Sequence, residues 1–239
     1  MALKNKNLIS SGKAKSLYST EDPEKYIMHF RDDTSAFDGK KTESLSGKGQ
    51  TNNLFNAFIM EKLEEAGVKT HFDKVLSNVD SLVKKLDMLP VECVVRNITA
   101  GSMCKRLGLK EGETLKNPIF EFFYKDDDLG DPLINDHHIL TFGWANQEQI
   151  DAMKKISLTV NEILKDLFLK ADMLLVDYKL EFGAYHEELI LGDEFTPDGC
   201  RVWDLETREK LDKDRFRQDL GDVVESYGII ANRLGIKIA

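Results

Sequence analysis

A chain of 239 residues with 41% hydrophobic content can fill a core of ordinary size, so it is not a short stapled scaffold, and its formal net charge of -9 excludes a protein built to coat nucleic acid. Its longest apolar runs, such as Met173 to Val176, fall far short of the roughly 20 residues that span a bilayer, and MALKNKNLIS at the N-terminus has no signal-peptide apolar region, so no membrane contact and a cytoplasmic location are expected. Cys93, Cys104 and Cys200 are odd in number and lack a CxxC spacing, which argues for reduced thiols rather than a disulfide framework or a zinc ribbon.

Against this acidic background, places where Lys and Arg gather mark where anionic substrates would be held. The first is Ser11-Gly12-Lys13-Ala14-Lys15. It is either a lysine-rich surface turn or a cover for a polyphosphate, built from backbone amides and two ammonium groups; it matches neither GxxxxGK[ST] nor GxGxxG. Ser16 to Tyr18, the turn Glu21-Asp22-Pro23 and Tyr26 to Phe30 then read as strand, turn, strand. Arg31 to Gly49 reads as a loop rich in Gly, Ser and Lys.

From Thr51, the residues Leu54, Phe55, Phe58, Ile59, Leu63 and Ala66 recur at helical spacing and Gly67 supplies a stop. Leu82 to Leu86 and Val91 to Val95 read as strands on either side of a short hinge near Leu86 to Pro90, since no linker-like stretch occurs elsewhere. This divides the chain into lobes 1–88 and 89–239. The segment Met88 to Ser102 delivers Arg96 on a strand and opens a short helix, Ser102 to Leu107, closed by Gly108. Helix-start amides, a hydroxyl and an arginine fork suit a phosphate monoester, whereas an N-cap serine beside a surface arginine is the alternative.

A second long helix is expected from about Gln147 to Lys170, with Ile150, Met153, Ile163, Leu164, Leu167 and Phe168 on one stripe. A hairpin follows, Met173 to Phe182 with Leu189 to Gly192, and then a last helix from about Asp214 to Leu234. Strands and helices mix without a βαβ rhythm, which predicts an α+β fold.

The hairpin carries the densest chemistry. Strand alternation sorts Asp177, Lys179 and Glu181 onto one face and Val176, Tyr178, Leu180 and Phe182 onto the other. The charged face meets either solvent, as an edge strand would, or a metal or charged ligand. An antiparallel return brings Asp193 close to Glu181. Two carboxylates forced together repel unless a cation intervenes, and Mg²⁺ bound by one or two carboxylates plus phosphate oxygens is the usual solution in nucleotide sites.

MLPVECVVRNITAGS and LLVDYKLEFG resemble the signature segments of the phosphoribosylaminoimidazole-succinocarboxamide synthase (SAICAR synthetase) family. The likeness extends through SGKAKSLY, Asp33 to Asp38, Phe122 to Asn135, Gly192 to Asp204 and Asp212 to Gly221, nearly the whole chain. It implies a small N-terminal antiparallel β lobe and a larger α+β lobe with ATP in the cleft. It also implies an ATP-dependent ligation of 5-amino-1-(5-phosphoribosyl)imidazole-4-carboxylate (CAIR) to L-aspartate, and, by resemblance to bacterial members, a homodimer.

By the same resemblance, Lys13, Ala14 and Lys15 cover the ATP phosphates, Lys84 and Met88 lie along the adenine pocket, and Glu181 and Asp193 bind Mg²⁺. Arg96, Ser102 and Arg201 hold the phosphate of the imidazole nucleotide, and Lys125, Asp177 and Lys179 line the reaction centre. The loop with Ser35, Asp38 and Lys48 is a candidate for aspartate contacts. The chain departs from the family pattern at Asn135-Asp136-His137-His138, so neither histidine is given a role, and at Cys200, read as a packing residue. A small-molecule kinase in the same cleft and a non-catalytic nucleotide-binding module are the rival readings.

Overall fold

The computed structural model describes residues 6–36 and 41–238. Its first sheet has five antiparallel strands in the order β1-β2-β3-β7-β6, formed by β1 (Leu8–Ser11), β2 (Lys15–Ser19), β3 (Lys25–Phe30), β6 (Phe72–Val75) and β7 (Asp80–Lys84). Between β3 and β6 lie a two-stranded ribbon, β4 (Asp33–Ala36) and β5 (Lys41–Ser44), and the helix α1 (Lys48–Glu65). The described residues of the loop expected over Arg31 to Gly49 therefore include two strands and the start of a helix. α1 also begins three residues before Thr51, because Gly47 at φ 85 turns the chain into it and Lys48 is drawn inward by a buried carboxylate.

The second sheet is built from β8 (Asp87–Ile98), β9 (Thr114–Tyr124), β10 (Leu133–Ile134), β11 (Met173–Tyr185), β12 (Glu188–Gly192) and β13 (Cys200–Asp204), again antiparallel. β8 runs unbroken through Pro90, so only Lys85 and Leu86 separate it from β7. The short helix α2 (Gly101–Leu107) ends on Gly108 at φ 64 as its glycine stop suggested. α3 (Asp136–Phe142) and α4 (Gln147–Leu169) follow, both opened by asparagine capping boxes. The expected last helix is broken into α5 (Asp214–Arg217) and α6 (Val223–Arg233), since Asp219, Gly221 and Asp222 all take positive φ between them.

The main core packs α1, α4 and α6 residues, among them Phe55, Ile59, Leu63, Val160, Leu164, Phe168 and Ile230, against the apolar side of β8 and β11. Cys93 and Cys200 are buried in it as free thiols. No helix among the described residues is long and apolar enough to cross a membrane, which leaves β-barrel spans unaddressed. The absence of a βαβ rhythm thus corresponds to an α+β architecture with wholly antiparallel named sheets.

One polar knot ties these parts together. Lys48 is fully buried, with Nζ 2.5 Å from Asp198 Oδ2 and 3.0 Å from Asp33 O. Asp198 also accepts from Asn52 Nδ2 at 2.9 Å and from Tyr227 Oη on α6 at 2.8 Å. Burial by itself would raise the Asp198 carboxyl, but Lys213 and Lys48 nearby, with the Lys48 and Tyr227 hydrogen bonds, bring it down to about 2. Removing one member of such a pair strands the other charge in the interior. Lys48→Met is expected to lower the unfolding free energy by about 3–5 kcal/mol in chemical denaturation, and a loss near zero would show that Asp198 finds another counter-charge.

Candidate active site

β11 is a central strand, which excludes the solvated-edge alternative. β8 pairs along one side of it, while the other side is shared end to end: β13 pairs with Met173 to Tyr178 and β12 with Glu181 to Tyr185. Where the two partners abut, at Lys179 and Leu180, residues 193–199 leave the sheet as a loop anchored by Lys179 N donating to Gly199 O at 3.1 Å. Opposite β11's charged face opens a cleft of 920 Å³ lined by residues of both large sheets. Tyr178, on the apolar face, donates from Oη to Ser157 O of α4 at 2.8 Å and fixes which face is which.

Lys13, Ala14, Lys15, Lys84, Met88, Arg96, Ser102, Lys125, Asp177, Lys179, Glu181, Asp193 and Arg201 all line this cleft. Ser35 is present as β4 backbone opposite Thr42, with its side chain outside the described residues, and Asp38 lies outside them altogether. Lys48, the remaining candidate for aspartate contacts, has no exposed surface.

At one end, carboxylates and ammonium groups interleave. Glu181 lies opposite Gly192 in the β11–β12 register, so Asp193 follows at the next position, in a left-handed conformation at φ 56. Lys179 Nζ is 2.5 Å from Glu181, 3.1 Å from Glu92 and 3.4 Å from Asp193. Lys125 closes on the other oxygen of Glu181, and Lys15 on Asp193 and Glu194. Burial would lower the Lys179 ammonium, but Glu181, Asp193 and Glu92 hold it well above its ordinary value. Burial would likewise raise Asp193, yet Lys15, Lys179 and Lys125 keep it far below the usual carboxylate range. The donor set suits a hard cation such as Mg²⁺, which takes one or two carboxylates and completes its shell with phosphate and water. Among the described residues no group of three or more His, Cys, Asp or Glu is arranged to hold a metal by protein ligands alone.

At the other end the charges reverse roles. Asp177 sits between two guanidiniums, accepting from Arg96 Nη1 at 2.9 Å and from Arg201 Nη1 at 2.8 Å. Arg96 also donates from Nε to Glu121 at 2.7 Å and from Nη2 to Ser102 Oγ at 3.2 Å, while Arg201 Nε donates to Asp214 at 2.8 Å. Arg106 joins by donating to Ser102 Oγ at 3.1 Å. Three arginines and a hydroxyl thus converge on one corner of the cleft, pre-oriented by acids, the arrangement that binds a phosphate monoester. Gly101 makes it possible: its φ is +58, and a Cβ there would stand 2.4 Å from Arg201 Nη2.

Several residues in or beside the cleft escape sequence reasoning. Glu92 shares a strand face with Arg96 by simple alternation, a signal that was available. Glu121 lies on β9, which Asn117-Pro118 disguises as a break. His71 lines the cleft as a neutral imidazole, since burial lowers it to about 4. Lys213 and Arg217 lie in the segment from Asp212 to Gly221, which the family likeness covers without assigning either a role, and both line the cleft. His138 has a structural part, its Nδ1 accepting from Asn135 N at 3.1 Å at the start of α3.

Comparison with known proteins bears directly on this cleft. A family model described as SAICAR synthetase matches residues 8–234. A phosphoribosylaminoimidazole-succinocarboxamide synthase of Alcanivorax borkumensis is 62% identical, covering 98% of both chains, and one of Nitrosococcus oceani is 60% identical over 100% of both. Among solved structures, the synthase of Ehrlichia chaffeensis superimposes with a TM-score of 0.95 at 42% identity, covering 98% of this chain and 100% of that one. A SAICAR synthetase in complex with ADP gives 0.94 at 46% identity, with the same coverage.

The close approach at Gly101 is open to a direct measurement. Gly101→Ala forces an L side chain into a left-handed backbone and against the Arg201 guanidinium, so unfolding free energy should fall by about 1–2 kcal/mol and calorimetric affinity for a phosphomonoester ligand should drop. Unchanged stability and affinity would mean that Arg201 moves aside without consequence.

Proposed function

Because the chain belongs to the SAICAR synthetase family, we propose that the two ends of its cleft hold ATP and the phosphate of CAIR, with the acidic pair Glu181 and Asp193 at the ATP end. The enzyme is an ATP-dependent C–N ligase of purine biosynthesis: it joins the carboxylate of CAIR to L-aspartate and releases SAICAR, ADP and phosphate. The observation that carries the residue assignment is the juxtaposition, on one strand of one cleft, of Asp177 beneath the arginine corner and Glu181 beside Asp193.

The assignments follow from charge. Arg96, Ser102 and Arg201 hold the ribose phosphate of CAIR, whose length then carries the imidazole carboxylate toward Lys179. Lys13, Ala14 and Lys15 cover the phosphates of ATP, and Lys84 and Met88 border the adenine; the ADP complex of a relative supports a purine nucleotide in this cleft. Glu181 and Asp193 would hold Mg²⁺, which when bound offsets phosphate charge. For that, Lys125 and Lys15 must turn from these carboxylates toward incoming phosphate oxygens. Lobes 1–88 and 89–239 meeting at Met88, a cytoplasmic location and a homodimeric assembly belong to the same proposal.

A carboxylate is a poor electrophile because its charge is shared by both oxygens, so amide formation at neutral pH needs activation. The imidazole carboxylate attacks the γ-phosphorus of ATP, ADP leaves, and the amine of aspartate displaces phosphate from the resulting acyl phosphate. What this chain contributes is alignment and charge neutralisation by Lys13, Lys15, Lys125 and Lys179, with Asp177 keeping the arginines in place. No enzyme nucleophile is required.

A substrate-omission assay for phosphate release tests this reading at once. Release should require ATP, CAIR and aspartate together; full-rate release without aspartate would make the protein a kinase, and none with all three an inert binding module. Glu181→Gln and Asp193→Asn should each reduce turnover at least about tenfold, taking the loss typical of second-shell partners as a floor, while the fold persists. Wild-type magnesium affinity in either variant would remove that residue from the metal site.

A further inference from the structure

One buried acid behind the arginine corner has no cation of its own. Asp212 is 0% exposed, and its carboxylate accepts from Val202 N at 2.8 Å through Oδ2 and from Asp214 N at 2.7 Å through Oδ1. Among the described residues no cation pairs with it, whereas the acids around it are all paired: Asp177 with Arg96 and Arg201, Asp214 with Arg201 and Arg217, Asp198 with Lys48. A buried carboxylate held by two amides alone is costly in its charged form, so it is the acid of this cluster that most readily gives its charge up. Burial and the Asp214 carboxylate raise it to about 7, against the pull of the two amides and of Arg201.

The groups that face it come from four elements. β13 contributes the Arg201 guanidinium and the Cys200 thiol, which burial pushes well above its ordinary value. The turn into α5 contributes Asp214, while Lys213 and Arg215 lean toward Asp198 and Glu209. α6 contributes Tyr227, which burial also raises and which donates to Asp198 Oδ1 at 2.8 Å, and β11 contributes Asp177 across the Arg201 guanidinium. Of these only Lys213, which burial lowers to about 8, also titrates near neutrality.

Asp212 reaches the phosphate corner through a single side chain. Arg201 precedes Val202 on β13, with Nε held by Asp214 and Nη1 by Asp177, each at 2.8 Å. A phosphomonoester dianion that takes the Arg96 and Arg201 guanidiniums brings more negative charge to a place where three carboxylates already share them. The carboxylate without a cation is the one that responds.

We propose that Asp212 takes up a proton when a phosphomonoester occupies the arginine corner, so that nucleotide binding is coupled to pH through a side chain that never touches the ligand. The identity of that ligand, CAIR, rests on the ligase reading. The proton comes from solvent and resides on a carboxyl oxygen; no other bond changes. As pH rises, the free protein loses this proton before the complex does, so affinity for CAIR falls between about pH 7 and 9. A midpoint one unit higher in the complex corresponds to about tenfold between the two limits. The phosphate itself does not produce this trend, because its second proton leaves near pH 6 and its loss favours binding to arginine.

The test follows the side-chain carboxyl carbon of Asp212 by nuclear magnetic resonance in the isotopically labelled full chain, with and without saturating CAIR. The free protein should show a midpoint near 7, and CAIR should raise it by at least about one unit. A midpoint that CAIR does not move, or one below about 5 in both states, overturns the proposal. Asp212→Asn, which cannot titrate, should flatten the calorimetric dependence of CAIR affinity on pH over the alkaline range. A slope equal to that of the wild type would assign the proton to Lys213 and overturn the proposal as well. If the variant does not fold, the wild-type carboxyl titration decides alone. Failure of CAIR to bind at any pH would instead overturn the ligase reading itself.

Discussion

Everything at this site depends on one strand being held in one register. Asp177, Lys179 and Glu181 face the cleft at alternate positions of β11, and a slip by a single residue would turn all three into the core and put Val176, Tyr178 and Leu180 in their place. Two things prevent the slip. Behind the strand, Tyr178 fills a buried site and hydrogen-bonds α4. In front, each charge has partners of opposite sign: Asp177 between Arg96 and Arg201, Lys179 among Glu92, Glu181 and Asp193. Neither arrangement survives alone, because the core sets the register and the ion pairs make that register tolerable.

The same pairing explains how a chain with net charge -9 binds anionic substrates. Its cleft is not simply basic. Acids hold arginines and lysines in place before any ligand arrives, so substrate phosphates meet cations that are already ordered and need only exchange one anion for another. The arginine corner differs from the lysine end in stiffness. Guanidiniums fixed at two or three points by Asp177, Glu121 and Asp214 present a fixed fork, whereas ammonium groups on flexible stems can follow a moving phosphoryl group.

Much of this was legible in the sequence where a single local rule sufficed. Alternation located β11 and its charged face, periodicity located α1 and α4, and the short return strand put Asp193 beside Glu181. Reading failed where the deciding partner lies far along the chain. β9 holds Glu121 despite Pro118, because β8 pairs with it on both sides of the proline, at Ile119 and again at Thr114. The final helix breaks where Asp219, Gly221 and Asp222 turn left-handed, which helical periodicity does not register. Lys48, taken for a ligand contact, is a buried support, since Asp198 and Tyr227 close over it from about 150 residues or more away in sequence, a separation no local pattern encodes.

The division of β11's edge between β12 and β13 has a bearing on how such a site can change. Each partner strand is indexed to β11 by its own hydrogen-bond ladder, so the segment between them is free to lengthen or shorten without shifting either ladder. The sheet thereby uncouples evolutionary variation inside the loop, between Asp193 and Asp198, from the placement of Asp177 and Glu181. New contacts to a substrate can be tried there while the reacting geometry stays put.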